Sequence, residues 1–349
     1  MKIAIVGAGF LGCALSLILS NKNKVDLYEK TNSILSGASS YNQMRFHSGY
    51  HYPRSQKTFD EIKKSKRDFL NFFSNKIFGS TQNFYCIPFQ KTKTTPKKYE
   101  KFLKKNNLYF KKYSNPKFFS NKIQSSYLVD EKILNFFKFK KICKKKLSKS
   151  DVNLKLNTIF SKNDLKKYDK IFICTYSENN KVLKSLGYNI KKKFKYELIE
   201  KIVIKLPQKY KNKSFVVIDG NFVCCDPYIG TNYHLLSDVY NSKLEIQNTK
   251  NYKFKSNKRF FVNKTPKKKL EISRFSNFIK NSSKYLPFLN NAKYIKSMFT
   301  VRTLLSNKEK TDERTSNVGK INDKLYVVLT GKWNTTVQIA KNIEKNLSK

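Results

Sequence analysis

The sequence predicts an α/β fold. A parallel domain is assembled from the start, middle and end of the chain, and an antiparallel, strand-rich block is inserted between its parts. Three observations carry this expectation. The chain opens with an apolar strand that runs into a glycine-rich turn and an apolar helix. Strand-like runs then recur at 152–156, 170–174 and 324–329, separated by helical patterns, as a parallel sheet requires. Between them, 196–206, 214–218, 221–225 and 233–239 read as closely spaced strands, and Asp219-Gly220 supplies a hairpin turn.

The elements justify themselves in order. Lys2-Ile3-Ala4-Ile5-Val6 is the first strand, and Gly7-Ala8-Gly9-Phe10-Leu11-Gly12 follows it as G-x-G-x-x-G. An apolar helix then ends near Ser20, and Val25-Asp26-Leu27-Tyr28 closes on Glu29. Strand, glycine turn, helix, strand and acid in this order build a dinucleotide site. Gly7 allows the tight turn, Gly9 the approach of a pyrophosphate, and Gly12 close packing of helix on strand. The helix N-terminus offers N–H groups and a positive dipole end to phosphates. Glu29 is placed to accept from a ribose hydroxyl pair. The same opening could be misread as a secretory signal, but its glycines and the lack of an A-x-A-like site argue otherwise. No segment reaches transmembrane length, so a cytoplasmic protein is expected.

After Glu29 comes a small, polar stretch, 33–40, and then a loop, 41–55, that holds two of the three histidines (His47, His51) and two of the seven arginines (Arg45, Arg54). That density in an arginine-poor chain reads first as a functional loop, and otherwise as a buried polar loop held by its own hydrogen bonds. Residues 59–73 carry a helical apolar stripe, 82–90 reads as a strand, 97–107 as a short helix and 133–147 as an amphipathic, lysine-rich helix. Residues 270–285 are helical, 295–305 a strand, and Gly331-Lys332-Trp333 leads into a closing helix.

The chain has 349 residues and a formal charge of +48, almost all of it from lysine. Lysine spread over the whole length, together with abundant Asn, Ile, Phe and Tyr, reads first as compositional drift on solvated faces. A real anionic partner is the other reading, because so large a field steers acidic ligands or polynucleotides. Nucleic-acid readers lean on arginine, so nucleic acid is possible but not favoured. The six cysteines show no metal-ligand spacing, and reduced thiols are expected.

These residues together resemble the FAD-dependent oxidoreductases of the D-amino-acid oxidase group. The resemblance rests on Gly7 to Gly12 with Glu29, on Ser39-Ser40 and the 42–55 loop, and on Asp169 through Ser177. It also rests on Ile218-Asp219-Gly220 with Asp226-Pro227, on Arg302-Thr303 with Thr311-Asp312-Glu313-Arg314, and on Leu329-Thr330-Gly331-Lys332. It implies a Rossmann-like FAD-binding domain (1–80, 131–185 and 300–349) with an inserted antiparallel substrate domain (81–130 and 186–299). It implies that Gly7, Ala8, Gly9, Phe10, Leu11, Gly12, Glu29 and Lys30 hold the ADP half of FAD. Ser39 and Ser40 would approach the pyrophosphate, Asn42 to His47 would run past the flavin, and Thr175, Gly331, Lys332 and Trp333 would complete the cofactor site. Trp333 reads equally well as packing. The sequence departs from the family in the final loop, Gly331-Lys332-Trp333-Asn334-Thr335, where members more often carry a second glycine, and where Cys174-Thr175-Tyr176 replaces an alanine-threonine-glycine turn.

The implied chemistry is oxidation of a C–H beside an amine or hydroxyl of a small anionic substrate, by hydride transfer to the flavin. Arg302 is the candidate clamp for a substrate carboxylate, and Lys332 the candidate stabiliser of charge on the flavin. Arg45, His47 and His51 are candidates for polar contact or proton transfer. Alternatives are a flavoenzyme acting on the wobble uridine of tRNA, a non-redox sugar-nucleotide mutase, and a basic nucleic-acid-binding module with a degenerate nucleotide fold.

Overall fold

A computed structural model describes residues 1–220, 223–266, 271–306 and 316–347. The 311–314 segment quoted for the resemblance lies outside the described residues.

The first strand, β1 (Lys2–Val6), pairs in parallel with β2 (Lys24–Tyr28) on one side and with Lys170–Ile173 on the other. Val152–Lys155 extends the sheet beyond β2, and Leu325–Leu329 extends it beyond Lys170–Ile173. Asn317–Lys320 closes that edge antiparallel, giving six strands drawn from three parts of the chain. Helix α1 (Phe10–Leu19) is buried along its whole length. It packs with helices Gln56–Phe73, Phe136–Ser148 and Thr336–Leu347 in one apolar core over the sheet. All-round burial explains why α1 carries no charged residue. A second core, with Phe160, Tyr168, Leu183 and Leu186, covers the opposite face.

The inserted part is a nine-stranded sheet. Its long strand Phe194–Lys205 pairs along its length with Lys293–Leu305, and on its other edge with Lys243–Thr249 and then Tyr233–Asp238. Lys213–Val217 and Val223–Tyr228 form the expected antiparallel pair around Asp219-Gly220. One correction applies to the expected antiparallel block. Lys213–Val217 and Gln82–Pro88 run parallel, because they are joined through a long excursion rather than a hairpin. Strand Lys293–Leu305 also stays in this sheet past residue 300, where the sequence reading placed the return to the first domain.

The two sheets meet where the cavity lies. In the parallel sheet β1 is the strand from which the chain leaves in both directions, to β2 and to Lys170–Ile173. A crevice must open at the carboxyl ends of such a switch point.

Candidate active site

Gly7 leaves β1 with φ +102°, and a Cβ there would lie 3.0 Å from the Cys174 carbonyl oxygen. A Cβ on Gly12 would stand 1.8 Å from the Gly7 carbonyl oxygen, so only glycine lets α1 start this close to the strand. At Gly9, in extended backbone, a Cβ would point into the space held by Ser39 Oγ, at 3.2 Å. Ser39 Oγ in turn accepts from Phe10 N at 3.2 Å, at the first turn of α1. Glu29 accepts from Ala8 N at 3.0 Å, and from Thr31 N at 3.0 Å and Thr31 Oγ1 at 2.9 Å. A carboxylate has about four acceptor sites, so capacity remains for a ribose hydroxyl.

These residues form one end of a continuous cavity of about 1310 Å³, larger than the roughly 300–1,000 Å³ of ordinary ligand pockets. Gly7, Gly9, Phe10, Leu11, Glu29, Lys30, Ser39, Asn42, Thr175, Gly331, Lys332 and Trp333 line it, as do Arg45, His47, His51 and Arg302. Ser40 is a correction: it is absent from the lining, and its hydroxyl donates instead to the Ser36 and Gly37 carbonyls at 3.2 and 3.0 Å. Gly12 and Ala8 also stay out of the lining. Gly12 serves the helix–strand contact, and Ala8 supplies the N–H that Glu29 holds. Trp333 stacks on Phe10, with centroids 5.1 Å apart, and tilts against Phe46. It is packing and cavity wall together.

The other end is strongly basic. Lys332 sits at the turn before the closing helix, its ammonium 4.7 Å from the Tyr52 ring centroid. Burial lowers its pKa to about 7. Lys201, in the middle of strand Phe194–Lys205, donates to Gln43 Oε1 at 3.1 Å. Burial lowers its pKa to about 8. Arg302 stands opposite Glu197 in the strand register and binds it through Nε at 2.6 Å and through Nη2. His47 and His51 lie side by side, centroids 5.3 Å apart, each against the Tyr52 ring.

Arg45 is held differently from the other candidates. Its guanidinium is buried and bonded to Glu131 at 2.6 Å, to Ser214 at 2.5 Å and to Asp226. Glu131 also accepts from Ser48 N at 2.9 Å and Tyr85 OH at 2.5 Å, and approaches His47 Nδ1 at 3.8 Å. The charge of Arg45 is spent on internal carboxylates, which raise its pKa against the effect of burial. It borders the cavity from under the histidine loop with its charge already paired. Sequence reading missed Glu131, Lys201, Gln43 and Glu197. The signal was there for two of them: Glu197 and Lys201 are charges set among the apolar residues of strand Phe194–Lys205.

No family model matches the sequence. An 87-residue stretch is 31% identical to the FAD-dependent monooxygenase kojA of Aspergillus flavus, and covers 25% of this chain and 20% of that protein. The match therefore spans about a fifth of the length of that curated relative. The chain is similar in structure to the FAD-bound L-α-glycerophosphate oxidase of Mycoplasma pneumoniae. The identity is 15% over 100% of this chain and 94% of that one, with a TM-score of 0.74. It is similar to the L-proline dehydrogenase of P. horikoshii at 12% identity, over 99% and 93% of the two chains, with a TM-score of 0.72. For the glycine oxidase of Geobacillus kaustophilus the values are 11% identity, 98% and 94% coverage, and a TM-score of 0.70. The glycine cradle, the switch-point crevice and these likenesses agree, and the chain shares the fold of these oxidases and of the proline dehydrogenase.

Proposed function

We propose that the chain is an FAD-dependent oxidoreductase acting on a small anionic substrate. The observation that carries this is the single cavity running from the glycine cradle and Glu29 to the basic end with Lys201, Arg302 and Lys332. The residues present fit FAD. A Cβ at Gly9 would fill the space beside Ser39, the helix N-terminus favours a pyrophosphate, and Glu29 keeps acceptor capacity for a ribose.

Hydride acceptance from carbon is the chemistry that FAD supplies when bound. In this reading Gly7, Gly9 and the first N–H groups of α1 hold the pyrophosphate, and Thr175, Gly331 and Lys332 border the flavin ring. The Lys332 ammonium offsets negative charge at that end. Among the described residues Arg302 keeps its Nη1 donors for an anionic group, since Glu197 takes only Nε and Nη2. Lys201 adds a second cation. His47 and His51 receive the N–H or O–H proton of the substrate as its C–H bond is oxidised to an imine or carbonyl. The amino acids and glycerophosphate named for the structural neighbours are the two substrate classes that suit this end. The six cysteines are buried and unpaired, which fits a reducing cytoplasm.

The absorbance spectrum of the purified protein tests the reading. Bands near ~375 and ~450 nm, with FAD released by acid, are expected. Anaerobic bleaching by amino acids or by glycerophosphate then separates the two classes. A colourless protein that refuses added FAD overturns the proposal.

A further inference from the structure

Helix Phe136–Ser148 presents two unlike faces. Phe136, Phe139, Cys143 and Leu147 are buried in the core beside α1. At 3.6 residues per turn the outer arc carries Phe137, Lys138, Lys141, Lys144 and Lys145, with Lys149 just beyond the last turn, all exposed. Residues 136–149 contain no Asp or Glu, and among the described residues none of these lysines has an ion-pair partner. Beside the row opens a cleft of about 440 Å³, floored by Leu17, Phe72 and Ile142 and rimmed by Lys145, Lys146 and Lys149.

We propose that this face docks on a lipid bilayer bearing anionic headgroups. Lysine ammoniums on flexible stems match phosphates spread over a plane, and a cluster of this size on an amphipathic helix is enough to hold a protein at such a surface. The face has no arginine for bidentate readout and no ladder of aromatics for stacking bases, which a nucleic-acid surface would use. It has instead an apolar component that a dissolved polyanion does not need. Phe137 is 48% exposed among the lysines, and the cleft floor is hydrocarbon. No helix among the described residues is long and apolar enough to cross a membrane, so the attachment is peripheral. Leu17 and Asn21 border the cleft at the C-terminal end of α1, whereas the cavity lies at the N-terminal end of the same helix. The cleft and the cavity are separated by about 15 Å of helix.

Flotation of the purified protein with phosphatidylcholine vesicles, with and without phosphatidylglycerol, tests this. Flotation is expected only with phosphatidylglycerol. The triple variant Lys141→Gln, Lys144→Gln, Lys145→Gln should partition roughly a hundredfold more weakly. Phe137→Ser should weaken flotation further, yet leave the affinity for labelled single-stranded RNA unchanged. The control is Lys101→Gln, Lys104→Gln, Lys105→Gln, three exposed lysines at the same spacing on helix Pro96–Lys105. These substitutions sit on solvated faces, and unchanged melting curves confirm the fold of each variant. An equal loss in the control would reduce the effect to overall charge and overturn the proposal. So would full flotation of the first triple variant, or a fall in its RNA affinity with flotation intact.

Discussion

Lys332 is a cation placed where water is scarce, and that has a measurable signature. Burial holds its folded pKa near 7, against an ordinary lysine value of 10.5 in the unfolded chain. Between those values the unfolded chain carries a proton that the folded chain has lost, so stability rises with pH through that window. Below it both states are protonated, and the cost of burying the charge is felt in full. Lys332→Met removes the cost. The variant should be more stable than the parent at about pH 6, by about 2 kcal/mol after allowance for water in the cavity, with the gain shrinking as pH climbs toward 10. Urea midpoints at a series of pH values check this, and a gain that does not change with pH would show that the ammonium is solvated. Glu131 makes the opposite case, a buried carboxylate on which Arg45, Ser48, Tyr85 and His47 all converge. Glu131→Gln leaves Asp226 as the one carboxylate bonded to Arg45 and should cost about 3 kcal/mol, the lower end for a broken buried pair. Loss of stability with unchanged flavin binding is the expected pattern.

At the scale of elements, α1 and its turn were the most legible part of the chain, because steric need writes itself as glycine. Gly12→Ala tests that need. Its Cβ would overlap the Gly7 carbonyl, so α1 must move away from β1. A loss of roughly 1–3 kcal/mol is expected from overpacking. Cofactor retention should fall with it, read as the ratio of visible to protein absorbance in the purified variant. Full retention at parental stability would mean that the turn is looser than its contacts imply. Other elements were harder to read, for identifiable reasons. The sequence reading ran the helix at 133–147 from its first apolar residue, yet Lys132–Leu134 is a strand and the helix starts after Asn135, whose side chain accepts from Lys138 N at 3.0 Å. Strand Lys243–Thr249 has only Leu244 and Ile246 as apolar residues and owes its form to pairing with Phe194–Lys205. Ile123–Val129 carries Gln124, Ser125 and Ser126 and is likewise held by its neighbours. Strand character of that kind belongs to the sheet and not to the segment.

At the scale of the whole molecule, the nucleotide end of the cavity was readable because it comes from one contiguous stretch. The basic end was only half readable, because it is gathered from residues far apart: Gln43, from a loop, meets Lys201, and Arg302 meets Glu197 across strands that only folding aligns. Ser40 failed for a related reason. Nothing in Ser39-Ser40 says which hydroxyl turns inward, and the loop's own carbonyls claim the second. The +48 charge is the property of the whole chain that the sequence left open, and salt separates its two readings. Lysines on solvated faces repel one another, and screening shortens the reach of that repulsion from about 30 Å at 0.01 M salt to about 8 Å at 0.15 M. Stability should therefore rise with sodium chloride, most steeply at the low end, by several degrees in Tm. A chain shaped around a dissolved polyanion would respond differently, with a large gain from micromolar heparin or RNA that sodium chloride then abolishes. Melting curves across a salt series, with and without polyanion, distinguish the two. The structure favours the first outcome: Lys201, Arg302 and Lys332 line the cavity that the glycine cradle opens, and the lysines that rim the second cleft, Lys145, Lys146 and Lys149, lie at the far end of α1 from it.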